Sequence, residues 1–211
     1  MCGFVGFTGH PENAEKILSD MAEKIRHRGP DADGSYFDDD IALGHRRLSI
    51  IDLTEQGTQP MFNEDGSLVL VFNGEIYNYQ TLREDLKAAG HTFRTETDSE
   101  VLLHGYEEYG EALLPKLRGM FAFVIWDKKA KKLFGARDYF GIKPFYYAKM
   151  NGTLLFGSEI KSFLPHPDFR KELDTAVLEQ YLTFQYSPTE DTFFKGVKKL
   201  MPGCLLEFQD G

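Results

Sequence analysis

Apolar residues in this chain fall mainly into short runs separated by turn residues, a pattern typical of β-strands. Two of the separating dipeptides, Asp65-Gly66 and Asn151-Gly152, are common in the turns of β-hairpins. The predicted strands lie at 3–8, 41–43, 68–72, 120–126, 132–136, 144–148, 153–157 and 204–208. The pattern therefore predicts a protein in which many strands are joined as hairpins.

Helical spacing of apolar residues occurs in four segments. Pro11 suits the first turn of a helix, and one apolar face follows it: Ile17, Leu18, Met21, Ala22 and Ile25. Further helices are predicted over 79–89, 98–109 and 174–182, and Thr97 with Glu100 matches a capping box. Residues 26–34 predict a loop. Because hairpins outnumber β-α-β crossovers, the pattern favours an α+β domain with layered antiparallel sheets.

Composition narrows the function classes. The 211 residues fit one large domain, and 24 basic against 33 acidic side chains give a net charge of −9, which disfavours nucleic acid as a partner. No run approaches the roughly 20 apolar residues that span a membrane, so no membrane association and a cytoplasmic location are expected. The two cysteines lie far apart, which does not indicate a disulfide. The six histidines show no metal-ligand spacing, and the sequence predicts no metal.

Cys2 follows directly on the initiator methionine. If Met1 is removed, one residue carries both a thiol nucleophile and a free α-amine that titrates near neutral pH, where a general base works best. N-terminal-nucleophile hydrolases use this arrangement. The alternative is that a small apolar side chain stands at position 2 by chance or for burial, so the hypothesis depends on the rest of the chain.

The dipeptide Asn73-Gly74 follows a strongly apolar strand. Its ordinary interpretation is a hairpin turn, but the sequence after it has the pattern of a helix. An asparagine amide next to a glycine N–H can supply two donors that converge on one point, as an oxyanion hole requires. Glycine also leaves space for a substrate.

Three charged clusters each allow two interpretations. Residues 26–31 are either a solvated turn or a functional loop, which would act as a lid or as a brace for the N-terminus. Arg46 and Arg47 close a strand, where they either form surface salt bridges or present a planar fork to a carboxylate. Asp98 either favours the positive end of a helix dipole or faces a cavity and binds a cation.

A series of segments resembles one family in order along nearly the whole chain. They are MCGFVGF, HRGPDADG, HRRLSIIDL, FNGEIYNY, TDSEVLLHGY, GMFAFVIWD, RDYFGIKPFYY and FGSEIKSFL. Together they resemble the N-terminal glutaminase domain of glutamine-dependent asparagine synthetases. The resemblance implies a four-layer αββα N-terminal-nucleophile fold, and hydrolysis of glutamine to glutamate and ammonia.

The resemblance also implies a role for each matching residue. Cys2 matches the nucleophile, and Asn73 with Gly74 matches the oxyanion hole. Arg28 and Gly29 match the loop that orients the terminal amine. The predicted glutamine pocket contains Arg47 for the α-carboxylate, Glu75 and Asp98 for the α-ammonium, and the backbone of Leu48, Ser49, Ile50 and Ile51 as a wall.

The resemblance further predicts a glutaminase domain at 1–190 and, at 191–211, the start of a connection to an ATP-dependent synthetase domain that these residues do not include. The glutaminase domain itself needs no cofactor, and ATP and magnesium belong to the synthetase domain. The expected partners are L-glutamine and that domain, and a homodimer is left open. Two alternatives remain: an amidotransferase of the same branch that serves a different acceptor, and a binding module without catalysis.

Overall fold

The structure, a computed structural model, describes residues 1–49 and 57–209. Two antiparallel sheets form its centre. The six-stranded sheet 1 has the order β10-β8-β9-β1-β3-β2 and contains β1 (Gly3–Thr8), β2 (Ala32–Phe37), β3 (Ile41–Arg47), β8 (Tyr146–Met150), β9 (Thr153–Gly157) and β10 (Val197–Lys199). The five-stranded sheet 2 has the order β11-β7-β6-β5-β4 and contains β4 (Met61–Phe62), β5 (Leu68–Ile76), β6 (Gly119–Asp127), β7 (Lys132–Arg137) and β11 (Leu205–Gln209).

Three apolar clusters separate four layers. The first packs helix α1 (Ala14–Glu23) on the outer face of sheet 1 through Leu18 and Met21. The second fills the space between the sheets, where Phe4 and Leu43 of sheet 1 meet Val71 and Val124 of sheet 2. The third packs helices α2 (Tyr79–Ala88) and α3 (Glu100–Tyr109) on the outer face of sheet 2. The predicted α+β, four-layer αββα architecture is confirmed.

A fourth helix, α4 (Thr175–Phe184), begins after Asp174, whose carboxylate accepts a hydrogen bond from the Ala176 N–H at 3.1 Å. Strands β10 and β11 lie within 191–211 and complete one edge of each sheet. The domain boundary predicted at residue 190 therefore precedes two strands of the sheets, and the boundary stays a prediction. Within 1–49 and 57–209, none of the helices has the length and apolar character needed to cross a membrane.

Strand β5 is longer than its apolar run predicts. It continues beyond Phe72 to Ile76, and its pairing with β6 continues to Ile76 opposite Gly119. The Asn73-Gly74 dipeptide is therefore strand interior and makes no turn, because the partner strand holds it extended. Residues 26–34 also differ from the predicted loop, since a 3-10 turn (Arg26–Arg28) leads into β2.

The capping box predicted at Thr97 and Glu100 is not formed. Glu100 is the first residue of α3, and its carboxylate accepts hydrogen bonds from the N–H groups of Arg94 and Thr95, each at 2.8 Å. The Thr97 N–H donates instead to the Thr95 hydroxyl at 3.2 Å. The glutamate thus folds the preceding loop onto the helix start and satisfies donors farther back than a capping box would.

Candidate active site

At one end of the molecule, the apolar layer between the sheets becomes polar. On β5 the side chains of Val69 and Val71 face sheet 1, and the alternation of the strand carries Asn73 and Glu75 onto the same side. On β3 the same alternation carries Arg47 onto the side of Leu43. Strand geometry thereby concentrates polar side chains from both sheets at one end of a hydrophobic layer.

A cavity of about 310 Å³ opens at this end. It is lined by most of the residues that the sequence singled out: Cys2, Arg47, Leu48, Asn73, Gly74, Glu75 and Asp98. Arg28, Gly29 and Ser49 do not line it. Ile50 and Ile51, predicted as part of the pocket wall, lie outside the described residues.

The thiol of Cys2 lies against the backbone of Leu48. The Leu48 N–H donates to the Cys2 Sγ at 3.3 Å, and the thiol is 3.5 Å from the Leu48 carbonyl oxygen, to which it donates. Both cysteines are free thiols, with Cys2 half-buried in the cavity and Cys204 exposed. The backbone of Leu48 therefore holds the thiol at the wall of the cavity.

Arg28 holds the N-terminal segment in place. Its Nε donates to the Cys2 carbonyl oxygen at 3.0 Å, and its Nη1 forms a salt bridge with Glu159 at 2.9 Å. The side chain of Arg28 is only 10% exposed, so Arg28 braces the N-terminal segment, whereas Arg26, His27, Pro30 and Asp31 are exposed to solvent. Gly29 lies so close to β3 that a Cβ would come within 2.3 Å of the Arg46 carbonyl carbon, and only glycine fits there.

Asn73 is 1% exposed, and its Nδ2 has no hydrogen-bond partner among the described residues. Leaving a buried amide donor unsatisfied costs about 1–3 kcal/mol, so this donor is suited to a ligand. A Cβ on the neighbouring Gly74 would lie 2.3 Å from the Met120 carbonyl oxygen and 2.6 Å from the Phe72 ring. Here glycine serves close strand packing, and its backbone is not in the left-handed region.

The two arginines at the end of β3 face opposite sides of the sheet. Arg46 forms the surface salt bridges, with Glu23 at 2.9 Å and Asp33 at 3.3 Å. Arg47 points the other way, is 7% exposed and lines the cavity. Successive residues of a strand face opposite sides, so neighbouring arginines have different environments. A Cβ on Gly57 would come within 2.4 Å of the Arg47 Nη2, which places that glycine directly against the guanidinium.

Asp98 is buried and faces the cavity. Its Oδ2 accepts a hydrogen bond from the Ile76 N–H at 2.8 Å, and the residue is 5% exposed. Burial, opposed by backbone hydrogen bonds and assisted by the nearby negative charge of Glu75, raises the pKa of Asp98 to about 6. Two acidic groups at one side of a cavity favour a bound cation, which would relieve their repulsion.

Lys143 is a cavity residue that the sequence did not single out. The buried carboxylate of Asp138 organises its loop by accepting N–H bonds from Phe121, Phe140, Ile142 and Lys143, at 2.9–3.2 Å. The Lys143 Nζ then lies 3.3 Å from the Met1 Sδ. Burial and the neighbouring Arg28 lower the pKa of Lys143. The only sequence signal was its place within RDYFGIKPFYY.

Two further buried side chains hold the cavity wall. The His45 Nε2 lies 3.0 Å from the Phe72 carbonyl oxygen, and burial lowers the pKa of His45 to about 4, so the imidazole is neutral and its Nε2–H donates. The Gln59 Oε1 accepts from the Phe72 N–H at 2.6 Å, while its Nε2 donates to the Ser99 Oγ at 3.3 Å. Together they fix β5 one residue before Asn73.

The chain was compared with known proteins by sequence and by structure, and the two comparisons agree. The family model of the glutamine amidotransferase domain matches residues 1–211. The chain is 49% identical over 208 residues to asparagine synthetase [glutamine-hydrolyzing] 1 of Bacillus subtilis, which covers 96% of this chain and 33% of that protein. It is 38% identical to asparagine synthetase [glutamine-hydrolyzing] 3 of the same organism, across 100% of this chain and 35% of that protein. The chain thus spans about one third of these relatives.

Among solved structures, the fold is similar to that of glutamine phosphoribosylpyrophosphate amidotransferase from B. subtilis. The TM-score is 0.69 at 24% identity, with 82% of this chain and 45% of that chain covered. That likeness supports the N-terminal-nucleophile fold. The match over residues 1–211 and the identity to the synthetases show that this chain belongs to the glutamine amidotransferase domain family.

Proposed function

We propose that this chain hydrolyses L-glutamine to glutamate and ammonia, with Cys2 as the nucleophile. One observation carries the proposal: the buried Asn73 Nδ2 has no partner among the described residues and lines the same cavity as the Cys2 thiol. A nucleophile and an unsatisfied donor in one cavity are the two components that acyl transfer requires. Family membership supports glutamine as the substrate.

The charges of the cavity match the two ends of the amino-acid group of glutamine. Arg47 would bind the α-carboxylate, for which its planar guanidinium offers paired donors. Glu75 and Asp98 would bind the α-ammonium, because its positive charge would relieve the repulsion between the two neighbouring carboxylates. Leu48 would contribute backbone to the pocket wall. Glutamine held at both groups presents its side-chain carboxamide toward Cys2.

The chemistry then follows in two steps. The Cys2 thiolate attacks the carboxamide carbon, and the oxygen of the tetrahedral intermediate rests on the Asn73 side-chain amide and the Gly74 N–H. Collapse of this intermediate breaks the C–N bond and releases ammonia, which leaves a thioester on Cys2. Water attacks the thioester, and its cleavage gives glutamate and restores the thiol.

Proton transfer in both steps is assigned to the α-amine of Cys2 after Met1 is removed. The amine would take up the thiol proton, give it to the departing ammonia, and later act as base toward water. Arg28 supports this assignment because it holds the carbonyl group of the same residue. Met1 itself lines the cavity, so its removal would also enlarge the space for glutamine.

The destination of the ammonia is proposed from the relatives. Their names describe glutamine-hydrolysing asparagine synthetases, which supports delivery to a synthetase domain that amidates aspartate with ATP and magnesium. The same proposal includes three further points: a domain boundary at residue 190, glutamine hydrolysis without a cofactor, and a cytoplasmic location. A different acceptor for the ammonia is the alternative, and products of the full-length protein would distinguish the two.

The two cysteines of this chain provide a matched test. Cys2→Ala should reduce ammonia release from glutamine to background, whereas Cys204→Ala, at an exposed position outside the cavity, should retain it. Asn73→Ala should lower kcat about 10²–10³-fold with little change in KM, because its bond strengthens in the transition state. Hydrolysis that survives Cys2→Ala would reject the nucleophile. A wild-type chain that binds glutamine without hydrolysing it would favour a binding module.

A further inference from the structure

A second polar cluster lies on the far side of sheet 2 from the cavity. It consists of Glu64, His91, His104 and Glu107, whose ligand atoms all lie within 4.8 Å of one another, and we call it the His–Glu cluster. Glu64 lies in the turn between β4 and β5, His91 follows α2, and His104 and Glu107 stand one turn apart on α3. The sequence predicted no metal because these residues come from three separate segments.

His104 is the central member. It is 1% exposed, its Nε2 has no hydrogen-bond partner among the described residues, and its Nδ1 has none either. That nitrogen lies 3.4 Å from the Glu64 Oε2 and 3.8 Å from the Glu107 Oε2. The opposite ring nitrogen, Nε2, lies 3.5 Å from the Glu100 carboxylate, which backbone N–H groups hold in place. A carboxylate behind an imidazole orients the ring and leaves the other nitrogen as a ligand.

His91 repeats this arrangement. Its Nδ1 lies 3.8 Å from the Glu107 Oε2, inside the cluster, and its Nε2 lies 3.4 Å from the Glu108 carboxylate, outside it. The two imidazole rings are 5.1 Å apart between centroids. Each histidine thus has one nitrogen toward the cluster and a carboxylate behind the other, which is the pattern of metal-ligating histidines.

Both glutamates direct one oxygen into the cluster. The Glu64 Oε1 accepts from the Thr92 N–H at 3.1 Å, and the Glu107 Oε1 accepts from the Asn63 Nδ2 at 3.4 Å. The Oε2 of each remains on the side of His104. Two imidazole nitrogens and two carboxylate oxygens therefore converge as four single-atom ligands.

We propose that the His–Glu cluster binds one divalent transition-metal ion of the zinc class. Tetrahedral N and O ligands at about 2.0–2.2 Å from zinc are about 3.4 Å apart, so small side-chain rotations would close the site. Two ionised carboxylates and two neutral imidazoles would balance a 2+ charge. The same ligand set does not suit calcium or magnesium, which favour oxygen ligands throughout.

The ion would have a structural role. It would join the β4–β5 turn, the segment after α2 and the middle of α3, and so add to the hydrogen bonds and side-chain packing that already connect them. Binding to the folded state alone stabilises that state as metal concentration rises. The site lies outside the glutaminase cavity, and its failure would leave the proposed glutamine hydrolysis untouched.

The test is zinc titration of the folded protein after removal of metal with a chelator. The Cys2→Ala background removes the thiol of the cavity, which could itself bind zinc. Calorimetry and elemental analysis should give one zinc per chain, and cobalt in its place should show the visible absorption of a tetrahedral site. Zinc should also raise the melting temperature in a concentration-dependent manner.

Ligand variants are placed at the two glutamates because their partly exposed side chains can be replaced with the least disturbance of the core. Glu64→Gln and Glu107→Gln should each weaken zinc binding at least tenfold, and the double variant should abolish it. Glu108→Gln should weaken binding about tenfold, as loss of a carboxylate behind a ligand histidine does. Glu84→Gln, at an exposed position on α2, is the matched control and should change nothing. No zinc uptake in the Cys2→Ala background, or uptake that the double variant retains, would overturn the proposal and leave a hydrogen-bonded cluster.

Discussion

The Arg28 Nε donates a hydrogen bond to the Cys2 carbonyl oxygen at 3.0 Å, while its Nη1 contacts Glu159 at 2.9 Å. One guanidinium thus joins the N-terminal segment to the loop that follows β9. The proposed catalytic amine belongs to Cys2, so the orientation of the Cys2 backbone decides whether this amine can take up the proton of the thiol.

Replacement of Arg28 by lysine tests this contact. A lysine keeps the positive charge but lacks the planar fork that reaches both partners. We expect Arg28→Lys to lower kcat at least tenfold with KM for glutamine nearly unchanged, because the pocket residues stay in place. Arg26→Lys, on the exposed side of the same turn, is the control. Equal losses in both variants, or a rise confined to KM, would contradict a positioning role.

A substitution at Gly57 would displace the Arg47 side chain while residue 47 itself stays an arginine. A Cβ there would come within 2.4 Å of the Arg47 Nη2, the flexible end of a side chain that can move aside. Gly57→Ala should therefore displace the guanidinium and raise KM for glutamine at least tenfold, with a smaller effect on kcat. The melting temperature should change little. A variant with unaltered KM would argue against Arg47 as the carboxylate ligand.

Protonation of Asp98 should make the proposed activity fall on the acid side of its pH profile. Only its ionised form attracts the α-ammonium, and its pKa is about 6 in the folded protein. The value of kcat/KM should fall about tenfold per pH unit below pH 6, since this ratio reports groups of the free enzyme. A limb with its midpoint near pH 4 would indicate that Asp98 is not the group that titrates.

The same carboxylate lowers stability at neutral pH. Its folded pKa of about 6 exceeds the ordinary 3.8, so the folded chain binds the proton more tightly than the unfolded chain. This destabilisation is complete above pH 6 and disappears as the pH falls toward 4, with an upper limit of about 3 kcal/mol. Asp98→Asn should therefore raise the free energy of unfolding at pH 7.5 while impairing glutamine binding. A destabilised variant would contradict the account.

Lys143 should influence the reactivity of the Cys2 thiol. Its buried ammonium lines the same cavity, and a nearby positive charge stabilises a thiolate. Lys143→Met should slow alkylation of Cys2 by iodoacetamide roughly tenfold, which corresponds to about 1.4 kcal/mol. Lys143→Arg should restore part of the rate, and the exposed Lys171→Met should leave it unchanged. An unaltered rate in Lys143→Met would show that the lysine does not influence the reactivity of the thiol.

Local sequence patterns predicted much of the fold because its elements have strong local signals. Strand β9 and helix α2 were placed almost to the residue, since turn residues bound them closely. The end of β5 was misplaced because Asn73-Gly74 has the composition of a turn, whereas pairing with β6 keeps it extended through Ile76. Tertiary pairing outweighed local preference there.

Sequence alone could predict a site residue only where its position in the chain or its neighbours mark it. Cys2 and Asn73 stand out by position and by neighbours. Lys143 does not, because its place in the cavity depends on the hydrogen bonds that Asp138 makes within its loop. His91, which follows α2, and His104, on α3, are 13 positions apart, and the packing of α2 against α3 brings them together. Long-range juxtaposition has no local signal in one sequence.

The central claim is that Cys2 acts with its own free α-amine. Intact-mass spectrometry of the purified protein, combined with an assay of ammonia release from glutamine on the same sample, tests it most directly. The account predicts that active protein lacks Met1, and that brief incubation with glutamine adds the mass of a glutamyl thioester to the same species. Full activity from protein that retains Met1 would contradict it.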